Sequence, residues 1–159
     1  MKIEKGVLVC VDTSDLDTLG CFWNDEVTEL ADNCFYDMLK LKRIYLPFVT
    51  KVGNNCFCFC ERLNDITLTS CQTIGFNCFR KTWLPKDLNL PSLAKIGSNS
   101  FMGSENVRRI YMKKLSIIGN NCFTDNIDLS VCDMPNLKSI GNNCFTDNPL
   151  LKIMPVEKV

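Results

Sequence analysis

The hexapeptide "IGNNCF" fills residues 118–123 and returns unchanged at residues 140–145. Looser copies stand upstream at the same spacing: "IGSNSF" ends at Phe101, "IGFNCF" at Phe79, "VGNNCF" at Phe57 and "LADNCF" at Phe35. The phenylalanine thus recurs every 22 residues, from Phe35 to Phe145, without an insertion. Two residues before each stands an asparagine: Asn33, Asn55, Asn77, Asn99, Asn121 and Asn143. The residue between them is Cys34, Cys56, Cys78, Cys122 or Cys144, with Ser100 in the fourth copy. Glycine lies four before the phenylalanine in every copy except the first, which has Ala31. One such unit cannot bury its own apolar face, so an unbroken period of this length means copies stacked on one another.

A second apolar pattern follows within each unit. Ile44 and Leu46, Ile66 and Leu68, Leu88 and Leu90, Ile110 and Met112, Cys132 and Met134, and Met154 and Val156 all sit nine and eleven residues after the phenylalanine. A spacing of two is a strand with one buried face. Leu41, Leu63, Val107, Leu129 and Leu151 precede these pairs by three residues, and Pro85 breaks the pattern in the third copy. Six coils at about 4.8 Å each give a solenoid roughly 30 Å long, with the phenylalanines in one column. The asparagines are expected to bond to turn backbone or to each other. The glycines are expected either to take positive φ or to let one coil lie close on the next.

The unit "LxxIxLPxxLxxIGxNCF" resembles the BspA-like (treponemal-type) leucine-rich repeat family. The resemblance implies a repeat solenoid, mainly β, with short parallel strands and short helical turns. Residues 27–159 would form six leucine-rich repeats. Residues 1–26 would form an N-terminal capping segment, with "KGVLVCVD" as a β-hairpin. The family more often carries alanine at the cysteine column and a period nearer 23, so this chain departs in packing and loop length rather than in architecture.

The register sorts the cysteines. "NNCFCFCERL", residues 54–63, places three of the chain's eleven thiols within five residues and invites a metal or redox reading. Cys56 falls in the core column, however, and Cys60 is expected to point inward; Cys71 and Cys132 replace core aliphatics. Free cysteine serves well as a small apolar residue. Cys58 is expected to be a surface thiol with Phe59 beside it, while Cys10 and Cys21 lie outside the register. Histidine is absent, which removes Ser-His-Asp and Cys-His nucleophile pairs and His-containing zinc sites.

Eighteen basic and eighteen acidic residues cancel, and no charge block suggests nucleic-acid binding; Arg108, Arg109, Lys113 and Lys114 are the only local concentration. The apolar run "VLVCV" is shorter than a signal peptide's core of roughly 7–15 residues or the roughly 20 of a membrane helix. Reduced thiols favour a cytoplasmic home, whereas the resemblance allows the cell surface.

Function must come from exposed positions. Flanking each buried strand residue are two rows that vary between coils: Arg43, Asp65, Asp87, Arg109, Val131 and Ile153, then Tyr45, Thr67, Asn89, Tyr111, Asp133 and Pro155. Such variation suits a surface that reads a protein partner, though cross-strand charge pairs on a merely solvated sheet would look similar. The candidate contact residues are Arg43, Tyr45, Asp65, Asp87, Asn89, Arg109, Tyr111 and Asp133. Phe59 and Phe76 suggest a second, apolar patch, and Trp83 is expected to pack into a coil altered by Pro85. The resemblance implies a non-catalytic adhesion-like module without cofactor. Alternatives are a structural subunit forming a homodimer through its last coil, around Phe145, Met154 and Val156, and a thiol enzyme or metal protein using Cys56, Cys58 and Cys60.

Overall fold

The computed structural model describes residues 1–152, so Ile153, Met154, Pro155 and Val156 lie outside the described residues. Two sets of short strands alternate along the chain. Lys2–Glu4 (β1) and Val7–Cys10 (β2) form an antiparallel hairpin. Beside it run the two-residue strands Glu29–Leu30 (β4), Lys51–Val52 (β6), Thr73–Ile74 (β8), Lys95–Ile96 (β10), Ile117–Ile118 (β12) and Ser139–Ile140 (β14). These complete an eight-stranded back sheet in the order β1-β2-β4-β6-β8-β10-β12-β14. The front carries three-residue strands: Cys21–Trp23 (β3), Arg43–Tyr45 (β5), Asp65–Thr67 (β7), Asp87–Asn89 (β9), Arg109–Tyr111 (β11) and Val131–Asp133 (β13). They form two separate parallel sheets, β3-β5-β7 and β9-β11-β13. Partners such as Ile44 and Ile66, or Ile110 and Cys132, are 22 residues apart, so the sequence period is the strand register. The molecule is a β-solenoid whose core lies between these two faces.

Aromatic stacking fills the centre. Phe35, Phe57, Phe79, Phe101, Phe123 and Phe145 stack with ring centroids 5.0–5.3 Å apart and planes within 17° of parallel. Phe22 closes the N-terminal end of the column by meeting Phe35 edge-on at 5.0 Å. It does so as the β3 partner of Ile44, which extends the period one strand upstream of the six copies. Cys21, expected outside the register, is therefore the in-register partner of Arg43.

The turns that hold this column are single turns that do not extend into helices. The only helix among the described residues is the 3-10 segment Thr13–Asp15. Each turn instead contains two left-handed residues, which stop a helix after a few residues. Asn33, Asn55, Asn77, Asn99, Asn121 and Asn143 have φ between 53° and 61°, and four residues later Asp37, Phe59, Lys81, Gly103, Asp125 and Asp147 lie between 51° and 61°. Asparagine tolerates this region because its short amide bonds locally. Here the amides join along the stack, Asn55 to Asn33, Asn77 to Asn55 and Asn121 to Asn99, at 3.1–3.2 Å.

The motif glycines play the other expected part. A Cβ on Gly53, Gly75, Gly97, Gly119 or Gly141 would come within 2.5–2.8 Å of backbone in the preceding coil. Ala31 is tolerated because the preceding layer there is the β2 hairpin strand, against which Ala31 N–H donates to Leu8 C=O at 2.9 Å.

The cysteine column is more than apolar filler. Cys56, Cys122 and Cys144 each donate Sγ–H to the carbonyl oxygen of the previous coil's residue four before its phenylalanine, at 2.9–3.0 Å. Ser100 Oγ donates to Gly75 C=O at 2.6 Å in the same way. A thiol or hydroxyl thus satisfies a carbonyl that the turn leaves without an N–H partner, which alanine could not do. Cys60, Thr82 and Ser104 repeat the device one row later on the carbonyls of Phe35, Phe57 and Phe79. Burial pushes the thiols of Cys60, Cys71 and Cys132 up to about 12, so they stay protonated at neutral pH.

Candidate functional site

The front face presents the eight candidate contact residues on five strands. Arg43 and Tyr45 lie on β5, Asp65 on β7, Asp87 and Asn89 on β9, Arg109 and Tyr111 on β11, and Asp133 on β13. Arg43, Tyr45, Asp65, Asp87, Asn89 and Arg109 are exposed; Tyr111 and Asp133 are half-buried. The face is not continuous, since β7 and β9 do not pair. Arg43, Tyr45 and Asp65 therefore belong to one sheet, and the other five residues to the second.

Charges on this face pair across the strands. Arg109 Nη2 donates to Asp87 Oδ2 at 2.8 Å while Nε contacts Oδ1, a fork on a carboxylate. The guanidinium draws the Asp87 carboxyl below its ordinary range. Arg43 and Asp65 approach more loosely, at 3.7 Å. The solvated-sheet pattern thus describes the charged row well, and solvent-exposed pairs of this kind add little to stability because water and salt screen them.

Aromatics are what the strands leave unpaired. Trp23 on β3 is the register partner of Tyr45, and the two are 69% and 52% exposed. Their side chains stand next to each other on the outer face at strand spacing. Trp23 escapes a motif-based reading because no "NCF" precedes it; subtracting one period from Tyr45 finds it.

Other side chains differ from expectation in physically simple ways. Cys58 is buried, at 3% exposure, because its thiol is much shorter than Tyr36 and Arg80, the residues one coil to either side. Burial also raises its pKa. Phe59 is half-buried and meets Tyr36 edge-on at 5.9 Å, whereas Phe76 is 55% exposed. Of the expected apolar patch only Phe76 remains a well-exposed ring. Trp83 does not pack inward: Leu84 is fully buried in its place and Trp83 is 41% exposed. Pro85 stands where other coils carry a buried aliphatic; the core position passes to Leu84, and the residue before it turns outward. The strand pairing lost between β7 and β9 is at this same coil.

Cys56 and Cys60 donate to different carbonyls, those of Ala31 and Phe35, so the close thiols are spent on separate backbone groups. All eleven cysteines are free thiols. Among the described residues no group of three or more Cys, Asp or Glu is placed to hold a metal ion, and no helix is long and apolar enough to cross a membrane.

The model of the BspA type leucine-rich repeat region matches in six copies over residues 22–108, more than half of the chain. The chain belongs to the BspA-type leucine-rich repeat family. No curated protein matches it. Among solved structures, the leucine-rich repeat solenoid is similar to a leucine rich cell surface protein from Faecalibacterium prausnitzii A2-165. That match has a TM-score of 0.76 and 22% identity, over 92% of this chain and 41% of the other. It is also similar to the T. pallidum leucine rich repeat protein, with a TM-score of 0.52 and 20% identity over 91% and 79% of the two chains. The chain thus spans less than half the length of the first of these. At such identities the likeness concerns the fold.

Proposed function

We propose that this leucine-rich repeat solenoid is a non-catalytic module that binds a protein partner through its front face, in an adhesion-like role. One observation carries the reading: the buried columns repeat from coil to coil while the outward strand rows vary, and the varying rows set Trp23 and Tyr45 side by side in solvent. Exposed tryptophan and tyrosine are the residues that dominate interface energetics, because they bury much area at little entropic cost. The Asp87–Arg109 fork supports a specificity role, holding two charges in fixed positions beside Tyr111 and Asn89. Family membership and the cell-surface protein of similar fold agree with an interaction role.

Partner capture from the native organism tests this. The protein retained by the wild-type chain should bind at least about tenfold more weakly to Trp23→Ala/Tyr45→Ala, the loss usual for an aromatic hot spot. A back-sheet control, Lys51→Ala/Thr73→Ala, should bind as wild type. Unchanged binding by the front-face variant, with loss in the control, would reverse the assignment of faces.

A further inference from the structure

The altered third coil opens a cavity of about 590 Å³ on the flank of the solenoid. It is lined by Glu61, Lys81, Thr82, Trp83, Gly103, Glu105 and Asp125. We propose that this cavity receives a cationic side chain, an arginine or lysine, from a peptide segment of a partner. The site is separate from the front-face aromatics, and its test does not depend on them.

Three observations converge on a cation. First, the lining carries three carboxylates against one ammonium, and Glu61, Glu105 and Asp125 make no ion pair among the described residues. The front-face carboxylates Asp65 and Asp87 do have arginine partners. Second, Trp83 stands in the wall with 41% of its surface exposed, although a fully buried position was available one residue on, where Leu84 lies. An open indole beside carboxylates is what a cation–π contact uses: the ring face attracts the charge and the acids hold it.

The third observation is the distribution of charge around Trp83. On its other side lies a smaller depression of about 420 Å³, lined by Lys42, Glu61, Arg62, Asn64 and Trp83. The basic pair belongs to the first two coils and the acids Glu105 and Asp125 to the fourth and fifth, with Trp83 between. Glu61 lines both hollows, so the smaller one sets two cations against one carboxylate and the cavity three carboxylates against Lys81; the balance favours a cation on the Glu105–Asp125 side of the indole. Gly103, with φ of 61° and no side chain, keeps the floor between Lys81 and Asp125 open. Thr82 presents no free hydroxyl to a ligand, since its Oγ1 donates to Phe57 C=O at 2.6 Å. Polar recognition in the cavity is thus ionic rather than a set of aligned neutral donors, which favours a cation over a sugar.

The full chain with Trp23→Phe leaves Trp83 as the one tryptophan, so its indole N–H resonance reports the cavity alone. Titration with the acetylated, amidated tripeptide Gly-Arg-Gly should shift that resonance saturably. The double variant Glu105→Gln/Asp125→Asn should bind the tripeptide about tenfold more weakly, as should wild-type residues in high salt. The same tripeptide with citrulline in place of arginine should give no saturable shift. An equal response to citrulline, no response to arginine at any concentration, or a response only to a neutral oligosaccharide such as cellotetraose would each overturn the proposal. Loss of front-face partner binding leaves this result untouched, and the reverse also holds.

Discussion

Phe79→Ala should remove about 3–5 kcal/mol of stability, the range for truncating a large buried aromatic. Phe79 is fully buried and stacks on Phe57 at 5.0 Å and on Phe101 at 5.2 Å, so its loss opens a void in the middle of the column. A solenoid offers little relief, because each coil touches only its neighbours and cannot collapse sideways into the gap. Urea denaturation should show a lower midpoint together with a broadened transition, as the two halves lose their coupling. Phe145→Ala, at the end of the column where the ring is only partly buried, should cost clearly less. Equal losses at the two sites would contradict a continuous stack.

Gly97→Ala should be the next most damaging small change. A Cβ there would lie 2.7 Å from Gly75 C, 2.8 Å from its O and 2.8 Å from Phe76 N, all of them backbone atoms that cannot swing away. The coils must part locally, which also lengthens the hydrogen bond from Gly97 N–H to Ile74 C=O, now 2.8 Å. Overpacking of this kind costs about 1–3 kcal/mol, and the upper end is expected because two main chains are held apart. The converse change, Ala31→Gly, should move stability by less than about 1 kcal/mol, since the first coil already accommodates the methyl group. Thermal melts of the pair separate close approach from backbone freedom, because φ is not left-handed at either position. If Ala31→Gly proved as harmful as Gly97→Ala, the contact argument would fail.

The fold was legible because each column answers one physical demand at every coil. A ring must cover the next ring, a strand must bury alternate residues, and a turn must admit left-handed backbone; the letters repeat because the demands do. Asparagine and glycine illustrate the limit of that legibility. Both signal a special backbone, but only coordinates show that asparagine takes the positive φ and glycine the close approach. The candidate face was legible in part. Its rows follow from the strand period, yet the pairing of Arg109 with Asp87 and the break between β7 and β9 depend on how the third coil closes. That closure turns on a one-residue choice between Trp83 and Leu84, two apolar neighbours that no hydrophobic pattern distinguishes. Trp23 was hidden for another reason: the front-face strand begins one period before the first recognisable turn. Cys58 shows that an outward register position need not be an exposed one when the side chain is short and its neighbours are long.

The central claim is that the cysteines build a scaffold and that recognition lies elsewhere on its surface. Counting reactive thiols in the native protein with a small disulfide reagent tests this most directly. Cys10 is exposed and should react quickly, Cys21 is half-buried and should follow slowly, and the nine buried thiols should appear only on unfolding. Rapid native reaction of Cys56, Cys58 and Cys60 as a group, or their protection by zinc and release by a chelator, would contradict the account.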